Sequence, residues 1–134
     1  MQNKMNRLRR TQFWGRDEDD DRLILQILAG KKTATACPAN EYFESEGDYE
    51  DGGYEVGDVV EVYDLKENLR CLIRITEYYT TTFGAIPEKL WRGEGNSCEE
   101  EFRKDHIFCW PEHEIDDDFQ IAVNHFELIE EKRA

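Results

Sequence analysis

Apolar positions fall in a helical rhythm early in the chain and in a strand rhythm through its middle and end. Leu23 with Ile27, and Ile24 with Leu28, stand at i, i+4 and build one apolar face. The acidic run Asp19-Asp20-Asp21 precedes them, where the positive end of a helix dipole favours carboxylates. Gly30 is the predicted stop, because glycine takes φ > 0 without a Cβ clash. The small residues Thr33 to Ala36 then suit a short strand.

Val59 to Tyr63 and Leu69 to Glu77 are two further predicted strands. The polar link Asp64 to Asn68 joins them into a hairpin. Pro87 opens a short helix through Trp91. Ser97 starts another, with Glu100 as its capping-box partner, and Pro111 stops it. In that helix Cys98, Phe102 and His106 align on one side. The last strand is Phe119 to Ile129. Its apolar set changes phase between Val123 and Phe126, which predicts a bulge near Asn124. Glu41 to Gly53 reads as a long acidic loop. Residues 1–12 carry Lys4, Arg7, Arg9 and Arg10 and few large apolar side chains, so a basic mobile N-terminal arm is expected ahead of a single domain spanning 13–130. The sum is an α+β fold: a small barrel of five or six strands flanked by two or three helices.

The charge narrows the function. A chain of 134 residues with 17 basic and 31 acidic side chains carries a formal charge of −14. Such a surface repels a long polyanion unless its basic groups are focused in one patch, and it is indifferent to a small neutral ligand. The four cysteines include no Cys-x-x-Cys pair, and no apolar run approaches the ~18 residues of a membrane span. Reduced thiols, a cytoplasmic location and no membrane partner are the expectation.

Candidate chemistry is sparse. His106, His113 and His125 are too scattered for a metal-ligand motif, so neither a metal nor a cofactor is expected. No nucleophile elbow, phosphate loop or dinucleotide fingerprint is present. A lysine and a hydroxyl at the junction after Gly30 remain. Lys32 as a base would deprotonate Thr35 for attack on an acyl carbon, and Glu94, between two glycines, would pass the proton to the leaving amine. Two conditions attach. A lysine beyond a helix C-terminus is favoured in its charged form, so a basic Lys32 needs burial. Residues three apart in a flat strand face opposite ways, so Lys32 must precede the strand. The plain alternative is a solvated lysine pair and a threonine serving the backbone.

In the same residues the chain resembles the ASCH family of the PUA-like superfamily. The likeness runs from Phe13 to Glu130. It is carried by Phe13-Trp14-Gly15, Leu28-Ala29-Gly30-Lys31-Lys32-Thr33-Ala34-Thr35-Ala36, Val56-Gly57-Asp58-Val59, Ile73-Arg74-Ile75-Thr76-Glu77, Gly93-Glu94-Gly95 and Phe102-Arg103-x-x-His106. The resemblance implies a PUA-like β-barrel with a cleft at one end and a link to RNA. One small bacterial relative is an amidohydrolase that removes the acetyl group from acetylcytidine. Its lysine, threonine and glutamate match Lys32, Thr35 and Glu94. A relative nearer this longer form has been described as a ribonuclease. Phe102 stands where the family has tryptophan, and the glutamate loop is longer than in the small enzyme. Arg103 and His106 are then expected to line the cleft, and Trp14 or Trp91 to stack a base. Core packing for the tryptophans and pairing of Arg103 with nearby acids are the competing readings. Three functions follow: deacylation of an acetylcytidine-like nucleoside, RNA binding without catalysis, or cleavage of single-stranded RNA.

Overall fold

Five strands and three helices follow one another in a computed structural model that describes residues 8–44, 49–50 and 52–132. Strand β1 is Leu8–Gln12, helix α1 is Arg22–Leu28, and β2 is Ala34–Pro38, followed by a 3-10 turn at Ala39–Glu41. Strands β3 (Val59–Tyr63) and β4 (Leu69–Thr82) come next, then helices α2 (Glu88–Gly93) and α3 (Glu99–Cys109), and finally β5 (Gln120–Glu131).

The sheet order is β1-β3-β4-β5-β2, with β1 parallel to β3 and every other pair antiparallel. All five strands line one cavity, through residues such as Thr11, Val60, Ile73, Phe126 and Thr35. A sheet whose first and last strands share a cavity is curled, and the result is an α+β half-barrel.

The expected N-terminal arm is corrected here. Residues 8–12 are a strand, not an arm, because pairing with β3 satisfies their backbone. Arg9 is ion-paired with Glu50, and Arg10 lies 3.3 Å from Glu61. Lys4 and Arg7 lie outside the described residues.

The phase change in β5 has another cause than a bulge in that strand. Ile121 and Val123 belong to a core with Leu90 of α2 and Phe102 of α3. Phe126 belongs to a second core with Ile24 and Ile27 of α1, Val60, Ile73 and Ile75. Odd and even positions face opposite sides of a strand, so the sheet carries a core on each face. At this point the irregularity sits in β4: Ile75 pairs with Phe126 and Glu77 with His125, leaving Thr76 unpaired, while β5 itself is irregular only further on, at Ile129. The extra residue in β4 turns Tyr79 onto the α2–α3 side.

Helix α1 ends as expected. Gly30 has φ 75°, and the Lys31 and Lys32 amides both donate to the Gln26 carbonyl, at 2.9 and 3.1 Å. Helix α3 starts one residue later than predicted. Ser97 Oγ donates to Glu101 at 3.0 Å, while Glu100 instead faces Lys104 at 3.3 Å.

Candidate functional site

Two chain reversals build the site. The turn after Gly30 carries Lys32 inward ahead of β2, so its side chain is 3% exposed. The end of α2 is pressed against β2 at Gly93, where a Cβ would lie 2.7 Å from the Ala34 Cβ. The Thr33 amide donates to the Gly93 carbonyl at 2.6 Å and ties the two segments together. Glu94 is the next residue, and this contact delivers it to Lys32.

Lys32 Nζ donates to Glu94 Oε1 and to the Ala34 carbonyl, the latter at 2.8 Å. It also stands 5.3 Å from the centre of the Phe13 ring. Two acceptors engage the ammonium, and one of its three N–H groups is left for a ligand. The remaining Glu94 oxygen, Oε2, lies 2.9 Å from His106 Nε2. His106 Nδ1 in turn lies 2.8 Å from the Phe102 carbonyl. An ionised carboxylate and a carbonyl only accept, so each ring nitrogen faces an acceptor. The imidazole is stacked on Phe102 at 3.9 Å and edge-on to Trp110 at 4.9 Å, which fixes its plane.

Glu94 is 8% exposed, and it caps a helix C-terminus, where a negative charge is disfavoured. Burial pushes its carboxyl up. The Lys32 charge and then the His106 hydrogen bond outweigh that and hold it at about 2. Lys32, placed beyond the end of α1, is favoured by its own helix. The acid and the ammonium therefore stabilise each other across two helix ends.

Thr35 lies in β2 opposite Asn124 and is half-buried on the cavity side. Lys32, Thr35, Glu94 and His106 all line the same cavity of about 510 Å³. Trp14 is at its mouth, 48% exposed and edge-on to Phe108 at 6.4 Å. Among the described residues, the charged groups on the lining are the Lys32–Glu94–His106 cluster and two further carboxylates, Glu41 and Glu44, and no arginine is among them. Glu41, Glu44 and Trp110 went unseen in the sequence reading, since nothing local marks them.

Two residues expected in the cleft lie elsewhere. Arg103 is 3.4 Å from both Glu99 and Asp117, with its guanidinium over the Phe83 ring. At about 100° per residue Arg103, three before His106, is offset from it by about 60°, and that offset points it toward the acidic loop before β5. Trp91 packs on the core beneath α2 and α3, covered by Arg92 at 4.7 Å.

A curled five-stranded sheet with a helix pair packed on one face, beside an acid–ammonium–imidazole cluster, defines a small PUA-like domain. The ASCH domain profile matches residues 10–130, and the chain belongs to the ASCH family, which is associated with RNA binding. An ASCH domain structure from Lactobacillus crispatus superposes with a TM-score of 0.76 at 17% identity, covering 92% of this chain and 80% of that one. An Enterococcus faecalis protein gives 0.72 at 17% identity, covering 98% and 80%. A point mutant of ZmASCH from Zymomonas mobilis gives 0.54 at 10% identity, covering 92% and 72%. At these identities the likeness is one of fold. No curated protein sequence matches the chain. Among the described residues, no helix is long and apolar enough to cross a membrane.

Proposed function

We propose that this ASCH domain hydrolyses the amide of an acylated, cytidine-like nucleoside. The observation that carries the reading is the gathering of Lys32, Thr35 and Glu94 on one cavity, with Lys32 and Glu94 in direct contact. The cavity falls within the ~300–1,000 Å³ of small-ligand clefts. Glu44 on its lining favours an uncharged nucleoside over a phosphodiester.

In the resting cluster Lys32 is an ammonium, so it is not a free base. The reactive form is the minor one in which Lys32 has passed a proton to Glu94, neutralising both, and a substrate that shields the pair from water favours it. Neutral Lys32 then takes the Thr35 hydroxyl proton as Thr35 Oγ1 attacks the acyl carbon. The tetrahedral adduct collapses by breaking the carbon–nitrogen bond. Glu94 protonates the departing nucleobase amine. Water, deprotonated by the cluster, cleaves the threonyl ester, releasing the carboxylic acid and restoring the hydroxyl. His106 is the positioning group that fixes the Glu94 carboxylate. Trp14 supplies a ring face at the mouth for the base.

The test is chromatographic release of cytidine from acetylcytidine. We expect turnover by the wild type, loss of at least a hundredfold in Thr35→Ala and Lys32→Ala, and partial retention in Thr35→Ser. Absence of release by the wild type, or equal release by Lys32→Ala, rejects the reading. Salt-sensitive binding or cleavage of single-stranded RNA in place of deacylation would assign the cleft to RNA instead.

A further inference from the structure

Beside the cavity, and outside the Lys32 cluster, three metal-ligating side chains meet. Glu41 ends the 3-10 turn after β2, while Glu112 and His113 follow Pro111 after α3. One donor atom from each lies within 4.8 Å of the other two. His113 Nε2 contacts the Glu41 carboxylate and is 3.8 Å from Glu112 Oε1. The geometry points to a divalent transition-metal site formed by Glu41, Glu112 and His113 at the rim of the cleft.

Three independent features carry it. The first is charge. Two carboxylates share one imidazole, which can neutralise at most one of them, and among the described residues neither carboxylate is paired with a lysine or arginine. A divalent cation balances both. The second is preorganisation. The His113 amide donates to the Trp110 carbonyl at 3.2 Å, and its ring is edge-on to Phe119 at 5.3 Å. The side chain is 17% exposed, so the imidazole is held in place before any ion arrives. The third is access. Glu41 and Glu112 are 41% and 65% exposed, which leaves open coordination positions on the solvent side. One nitrogen and two carboxylate oxygens suit zinc, manganese or nickel better than the all-oxygen preference of calcium.

The location gives the ion a use. Glu41 lines the same cavity as Lys32 and Thr35. A cation there meets an oxygen-bearing ligand at the entrance, and it ties the end of β2 to the segment after α3. The proposal does not rest on the deacylation reading, because its readout is metal binding.

The test titrates Zn²⁺ into the metal-free full-length chain by calorimetry, and Co²⁺ by visible absorption, at pH 7.5. We expect about one equivalent bound by the wild type and a cobalt d–d band. His113→Gln should weaken binding at least tenfold, and Glu112→Gln, at an exposed position that tolerates change, at least threefold. Far-UV circular dichroism establishes that the variants are folded. No binding by the wild type overturns the proposal. So does binding in which both variants retain wild-type affinity, which would place the ion elsewhere, on the thiols for instance.

Discussion

Replacing Glu94 with alanine strands two buried donors. Lys32 keeps only the Ala34 carbonyl, and His106 Nε2 loses its acceptor. Removing one partner of a buried ion pair costs about 3–5 kcal/mol, because an uncompensated charge stays out of water. The same pairing shows in the protonation of Glu94. Its carboxyl goes from an ordinary 4.5 to about 2 on folding. At 1.36 kcal/mol per unit, that amounts to about 3 kcal/mol of stability at neutral pH. The folded value is depressed, so this contribution is full above pH 4.5 and is lost as pH falls toward 2. The one ion pair is thus worth on the order of 3 kcal/mol, against the ~5–15 kcal/mol of a whole domain. Urea denaturation at pH 7 should therefore show Glu94→Ala less stable by about 3 kcal/mol, with Tm lowered by on the order of 10 °C. The double variant Lys32→Met with Glu94→Leu removes both charges and should regain most of the loss. Glu94→Gln should flatten the acid limb of stability between pH 4.5 and 2. A loss under about 1 kcal/mol in Glu94→Ala, or a double variant no more stable than the single one, refutes the reasoning.

Four further outcomes are expected. Gly93→Ala should lower both stability and turnover, because its Cβ would meet the Ala34 Cβ at 2.7 Å and push Glu94 away from Lys32; calorimetric Tm and cytidine release measure the two effects. Gly30→Ala should cost only about 1–2 kcal/mol in urea denaturation, since φ is 75° but nothing lies within 4 Å of the new carbon. Arg103→Ala should leave KM for acetylcytidine unchanged within twofold, its partners being Glu99 and Asp117 rather than the cavity. Thr35→Ala should abolish turnover while moving stability by less than about 1 kcal/mol, because a half-buried threonine in a five-residue edge strand contributes little packing.

Much of this molecule could be read from residue order, wherever one segment decides the outcome. The α1 face of Ile24 and Ile27, the left-handed stop at Gly30 and the β3–β4 hairpin depend on neighbours a few positions apart. Lys32 and Thr35 were legible together for that reason, being three residues from each other at a helix–strand junction. Glu94 is a different case: its glycine-flanked loop marked it, but only the close approach of Gly93 to Ala34 brings it to Lys32. Period and spacing assign a side chain to one face of its element without saying what that face meets. Arg103 and His106 share a helix, yet packing turns one toward the acidic loop and the other into the cleft. Residues 8–12 hold too few apolar side chains to announce a strand, and they become one through backbone pairing with β3. The broken alternation of β5 looked like a local defect. It is the consequence of a sheet buried on both sides, a condition set by helices that fold onto it from distant parts of the chain.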